Sequence, residues 1–98
     1  MLINLKPDNS KSLIKPPASE RLKLGCVELG PGEEIGAHIA TGKEEIITVL
    51  KGEATIIDSG KEIKIKEGQA YLIKNNTEHN VINKSNKPVV YTYTVTLL

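Results

Sequence analysis

The chain has 98 residues, a net charge of +1 from thirteen basic and twelve acidic side chains, and 39 % apolar residues with no Phe and no Trp. That length predicts one domain with a thin core, because a chain of this size buries only about 60–65 % of the surface it exposes when unfolded. One cysteine, Cys26, excludes an internal disulfide, and scattered lysines with a single arginine, Arg21, and three tyrosines argue against nucleic-acid binding.

Taken in chain order, residues 1–20 read as a short alternating strand, Met1 to Leu5, and an irregular arm. Pro7, Pro16 and Pro17, with several turn formers, forbid a regular element in that arm. Met1 to Pro7 lacks the apolar core of a secretory signal, roughly 7–15 residues long. No stretch approaches the roughly 20 apolar residues of a membrane span. A cytoplasmic location with no membrane partner is the expectation.

Residues 21–98 read as a single all-β domain. Short apolar runs separated by turn signals predict strands near 22–29, 34–40, 45–51, 54–58, 61–66, 69–74, 79–84 and 88–97. Pro31-Gly32, Thr41-Gly42, Lys51-Gly52, Ser59-Gly60, Asn75-Asn76 and Ser85-Asn86 punctuate them. No window of adequate length carries the i, i+3, i+4, i+7 pattern of an amphipathic helix. With no Phe or Trp, the core must come from Ile, Val and Leu, which favour pleated sheet. Alternation turns Ile63 and Ile65 inward and Glu62, Lys64 and Lys66 to water. In the last strand Val89, Tyr91, Tyr93, Val95 and Leu97 share one face. Tyr91 and Tyr93 read first as core and secondarily as hydroxyls offered to a bound substrate. Cys26 reads as a small buried hydrophobe, Lys43 as a loop charge and Glu44 as solvated. Antiparallel strands of this number and length close into a barrel or stack as two sheets, since both arrangements limit exposed edges.

The chain has two histidines, His38 and His79. Strand periodicity puts Gly36, His38 and Ala40 on one side of their strand, and Glu45, Ile47 and Val49 on one side of the next. A tight hairpin centred on Thr41-Gly42 would set His38 directly across from Glu45, with Cβ atoms about 4.5–5.5 Å apart. Burying an imidazole and a carboxylate among isoleucines is costly unless they pair or bind a metal. On spacing alone, a His38–Glu45 hydrogen bond at a barrel rim, two unrelated surface residues and a metal site all remain open.

Two longer patterns bear on that choice. Gly32-x5-His38-x-Ala40-x4-Glu45-x6-Gly52 resembles the first motif of the cupin superfamily, G-x5-H-x-H-x3–4-E-x6-G. Gly68-x5-Lys74-x-Asn76-x2-His79-x3-Asn83 resembles the second, G-x5-P-x-G-x2-H-x3-N. The resemblance runs from about Leu22 to Val95. It implies an antiparallel double-stranded β-helix, a jelly-roll barrel of the cupin type. It also implies one divalent transition metal (Fe, Mn, Ni or Zn) held by His38, Glu45 and His79, and a small-molecule ligand inside the barrel. The family's second histidine is Ala40 here, which frees one coordination position and equally weakens metal retention. Asn76 stands at the usual glycine and tolerates a left-handed turn. Gly32, Gly52 and Gly68 read as turn residues, and Asn83 as a residue that fixes a strand end or orients the site. Two functions follow from the resemblance. One is a metal-binding cupin that binds or transforms a small polar molecule; the other is a non-catalytic binding or sensing module for a sugar or small acid with a vestigial metal site. A homodimer is expected in either case, with Met1 to Leu5 adding a strand to a partner's sheet edge.

Overall fold

Runs rich in Ile, Val and Thr suit a pleated surface, where branched side chains pack against cross-strand neighbours. In the computed structural model, which describes residues 1–98, these runs form eight strands and no helix. They are β1 (Leu22–Leu29), β2 (His38–Ile39), β3 (Lys43–Lys51), β4 (Glu53–Asp58), β5 (Lys61–Lys66), β6 (Ala70–Ile73), β7 (Glu78–Ile82) and β8 (Val89–Leu97). Two four-stranded sheets result, in the orders β1-β8-β3-β6 and β2-β7-β4-β5, with every pairing antiparallel. The chain crosses between sheets repeatedly, which gives the jelly roll.

The only hairpin within one sheet joins β4 to β5 at Ser59-Gly60. Both residues have positive φ, 51° and 85°, as a tight turn matched to strand twist demands. Gly52 is fixed by crowding as well as by its φ of 83°: a Cβ there would stand 2.6 Å from the Pro88 carbonyl oxygen. Gly32 and Gly68 also sit in turns with positive φ, and so does Asn76, at 63°.

Two expectations fail here. The strand expected over 34–40 is reduced to His38–Ile39, with an isolated bridge from Glu34 to Ile82. Gly36, at φ 105°, breaks the run, and its N–H donates to the Asn80 side chain at 2.9 Å. The Thr41-Gly42 hairpin does not form either: β2 pairs with β7, and β3 with β6 and β8. The side-chain oxygen of Asn75 accepts from the N–H groups of Gly42 and Lys43, at 2.7 and 3.1 Å, and the Ala40 carbonyl accepts from Asn76 N–H at 3.1 Å. Those bonds take the donors a hairpin would use and send β3 into the opposite sheet.

The arm closes an edge. Residues Met1 to Pro7 form no strand in the single chain, but residues 8–14 follow the free side of β1. Leu24 exchanges backbone hydrogen bonds with Ile14, Asp8 N–H donates to the Cys26 carbonyl, and the Asn9 side chain bonds Glu28 N–H and C=O. An open strand edge invites pairing with other chains, and this one is covered. Cys26 lies beneath the arm at 0 % exposure, and burial raises its thiol pKa. The core between the sheets holds Val27, Leu29, Ile47, Val49, Ala54, Ile56, Ile65, Ile73, Val81, Val89 and Tyr91. Each large aliphatic side chain there contributes about 1.5–3 kcal/mol by leaving water.

Candidate metal centre

His38, Glu45 and His79 meet across the two sheets rather than across a hairpin. On β7, His79 is registered opposite His38 of β2 on one side and Asp58 of β4 on the other. Glu45 comes from the facing sheet, where β3 sets it between Ile73 and Val95. Stacked sheets lie about 10 Å apart, a gap that facing histidine and glutamate side chains bridge. The segment leading into β2 is tied down on β7. Asn80 accepts from Gly36 N–H through its oxygen and donates through its nitrogen to Glu34 at 3.1 Å, while Ile35 N–H donates to the Val81 carbonyl at 3.0 Å.

Both imidazoles are oriented in the same way. Nδ1 of His38 donates to the Gly36 carbonyl at 3.0 Å, and Nδ1 of His79 to the Thr77 carbonyl at 3.1 Å. A carbonyl only accepts, so in the neutral ring the proton sits on Nδ1 and Nε2 keeps a lone pair; this is how metal-binding histidines are commonly oriented. The rings lie 4.2 Å apart between centroids, tilted by 58°. Nε2 of His79 is shut away from water with no hydrogen-bond partner, 3.3 Å from Oε1 of Glu45. An imidazole lone pair aimed at a carboxylate oxygen is repulsive unless a proton or a metal cation lies between them. Two imidazole nitrogens and one carboxylate oxygen, all within 4.8 Å of one another, are a donor set suited to a divalent transition metal. Donor atoms on one ion lie at most about 4.2 Å apart, twice a bond of about 2.1 Å. Bringing all three onto one ion would take a shift of a few tenths of an ångström.

The three residues line a cavity of about 390 Å³ whose walls include Val27, Ile47, Val81, Tyr91 and Val95. Tyr91 and Tyr93 both reach it. Tyr91 is 2 % exposed and part of the core; burial first, then the charge of Glu45, raise its pKa, so its hydroxyl stays neutral. Tyr93 lies over Gly25, where a Cβ would collide with its ring at 2.0 Å, and its hydroxyl shares a 3.2 Å hydrogen bond with that of Ser12 in the arm. Ala40 lines the same cavity. Asn83 stands apart: its amide nitrogen donates to the Leu29 and Lys87 carbonyls at 2.9 and 2.7 Å, and its oxygen accepts from Ser85 N–H and Oγ. It holds the β7–β8 connection.

The pattern of the sequence did not place Asn9, Lys23 and Lys43 on the cavity wall, where the structure has them. Lys43 is not a loop charge, because β3 begins there, two residues earlier than expected. The signal was available in the alternation, since Lys43 shares parity with Glu45 and Ile47, and Lys23 with Val27 and Leu29. Asn9 gave no signal, because an irregular arm has no period to read.

The cupin-domain family profile matches residues 25–96. The oxalate-binding protein of Thermotoga maritima is 31 % identical over 72 residues, covering 74 % of this chain and 60 % of that protein. The chain thus spans less than two thirds of that relative's length. Among solved structures, a Thermotoga maritima protein named as a predicted oxalate decarboxylase superposes with a TM-score of 0.76 at 21 % identity, with 100 % of both chains covered. A Klebsiella pneumoniae protein with a double-stranded β-helix domain reaches 0.81 at 20 % identity, over 95 % of this chain and 83 % of that one. At those identities the two structures speak for the fold alone, and the profile over most of the barrel settles the family: the chain is a member of the cupins.

Proposed function

We propose that this cupin holds one divalent transition metal through His38, Glu45 and His79, and binds or transforms a small polar molecule in the cavity beside it. One observation carries the proposal: Nε2 of His79, water-excluded and without a partner, faces Glu45 at 3.3 Å. Fe, Mn, Ni and Zn all suit two imidazoles and a carboxylate. When bound, such an ion supplies Lewis-acid polarisation of a ligand oxygen. The chain's own residues supply the rest. Gly36 and Thr77 carbonyls fix the histidine tautomers, Tyr91 offers a neutral hydroxyl, and the apolar walls exclude water. The methyl group of Ala40 leaves open a position that a second histidine would fill.

The rival reading is a ligand-binding module without catalysis; the name of the oxalate-binding relative and the missing fourth ligand at Ala40 favour it. Metal content measured after loading and dialysis tests the site. The expected result is close to one ion per chain, most of it lost in His79→Ala and none of it in Glu44→Gln. Equal loss in both variants, or no uptake from any of the four metals, sinks the assignment. Recovery of every bound candidate acid chemically unchanged from metal-loaded protein would then favour the binding module.

A further inference from the structure

Lys23 and Lys43 occupy inward positions on the β1-β8-β3-β6 sheet and line the cavity. Lys23 is registered opposite Val95, and Val95 opposite Glu45, so Lys23 stands two strands from Glu45, roughly 10 Å between backbones. Lys43 is two residues before Glu45 on β3, about 6.8 Å away. The two lysines therefore flank the carboxylate that faces His79. Both are half-buried, and neither forms an ion pair: the lysine–carboxylate pairs of this chain are Lys64–Glu53 and Lys84–Glu62.

Charged residues seldom turn inward unless something pairs with them. The one carboxylate lining the cavity, Glu45, is directed at His79, so two ammonium groups are left without an anion. They outnumber it, and the cavity is positive whether or not a divalent ion is present. Beyond the lysines, Glu45 and the histidines, the wall offers a sugar only Asn9, Thr41 and the two tyrosine hydroxyls. Nine of its sixteen residues are hydrophobic, and the Tyr93 hydroxyl is already engaged by Ser12.

We infer that Lys23 and Lys43 are specificity-determining residues that select small organic acids with an apolar body over neutral ligands. The ammonium groups take the anionic group, and Val27, Ile47 and Val81 receive the hydrocarbon part. The inference rests on reading this cavity as the ligand site, and it does not require the metal.

Matched acids and amides test it: hexanoate against hexanamide and benzoate against benzamide, titrated calorimetrically into zinc-loaded and metal-free protein, with glucose as the neutral polar probe. Each acid is expected to bind at least tenfold more tightly than its amide. Lys23→Met/Lys43→Met, which keeps the aliphatic stems and removes the charges, is expected to abolish that preference while taking up zinc as the parent does. Should the double variant not fold, the single variants and the parent's salt dependence serve instead, since the preference must weaken as added salt screens the lysines. The inference is overturned if acid and amide bind alike, if glucose binds better than the acids, if no probe binds, or if the preference survives loss of both charges. Acid preference in a protein that takes up no zinc sustains this inference and rejects the metal assignment; zinc uptake without acid preference does the reverse.

Discussion

Asn83 and His79 lie four residues apart at and just beyond β7, both almost fully buried, at 0 % and 2 % exposure. His79 lines the cavity and Asn83 does not, and the barrel, open to a ligand at the first and closed at the second, treats them differently. At the closed end Asn83 makes four hydrogen bonds, two given and two received, and joins Leu29, Ser85 and Lys87 into one unit. At the open end His79 makes one, through Nδ1, and holds its other nitrogen dry and unpartnered opposite Glu45. A buried polar group costs about 1–3 kcal/mol when left unpaired, so folds rarely keep one without a use. Asn83 is therefore structure, and the strain of an unmet lone pair is confined to the end where a ligand can meet it.

The sharpest break of this contrast is at the closed end. Asn83→Ala leaves the buried Leu29 carbonyl without its side-chain donor and removes the bonds that Asn83 makes to Lys87 and Ser85, although Ser85 Oγ still reaches the Lys87 carbonyl at 3.0 Å. At about 1–3 kcal/mol for the unpaired carbonyl and about 1 kcal/mol for the other bonds, the expected loss is about 3 kcal/mol. For a domain of this size that is a fall in Tm of at least about 12 °C by calorimetry. Metal uptake by the variant, measured well below its Tm, should equal the parent's. A shift of only a few degrees would mean that water replaces the amide and that the two ends differ less than their hydrogen bonds suggest.

His79→Ala should do the opposite. Divalent metal affinity is expected to fall at least about 100-fold, or 2.7 kcal/mol. Chemical denaturation in chelator should register a smaller loss than for Asn83→Ala, because Nε2 contributes no bond to the metal-free fold. A variant that loses stability as Asn83→Ala does while keeping its metal would make His79 a packing residue.

Tyr91 extends the comparison to pH, since it belongs to the core and borders the site. Burial, helped by Glu45 and Tyr93, raises its pKa above that of an unfolded tyrosine, about 10. A raised folded-state value means the folded chain keeps a proton that the unfolded chain releases. This stability is fully present below about pH 10 and is lost as pH climbs toward the folded value. By about pH 11.5 the loss is on the order of 2 kcal/mol, so denaturation midpoints should drop steeply above pH 10 and less steeply in Tyr91→Phe. An equally steep drop in that variant would assign the alkaline transition to other groups.

How far the sequence goes differs between the same two regions. The strand rhythm is local, and most of β1 and β3 to β8 can be read from alternation and turn residues to within a residue or two. The grouping of His38, Glu45 and His79 is also legible, because motif spacing preserves residue identity whatever the pairing. Partner choice is not. Thr41-Gly42 has the composition of a hairpin, and Asn75, thirty-three residues away from Gly42, with Asn76 beside it, takes the groups the hairpin would use. Lys43 shares parity with Glu45 and Ile47, but that β3 extends back to it is set by its pairing with Leu97 of β8, which is not local. Non-local bonds decide which face a residue shares and with whom, and the cationic side of the cavity is built from such decisions.

Ala40 carries the mildest prediction and the finest test of the open end. Although the hairpin that would set His38 across from Glu45 and residue 40 across from Lys43 does not form, the Ala40 side chain still borders the cavity with His38 and Glu45. Ala40→His would add a neutral imidazole donor to a set that has three. Overpacking costs about 1–3 kcal/mol in a filled core, but residue 40 borders open volume and is only half-buried, so the lower end applies. The expected result is metal bound about tenfold more tightly, or 1.4 kcal/mol, in competition with a chelating indicator, with Tm in chelator lowered by a few degrees. Unchanged or weaker affinity in a folded variant would show that residue 40 borders the cavity without facing the ion. The position vacated in the motif would then be a change in shape rather than an open coordination site.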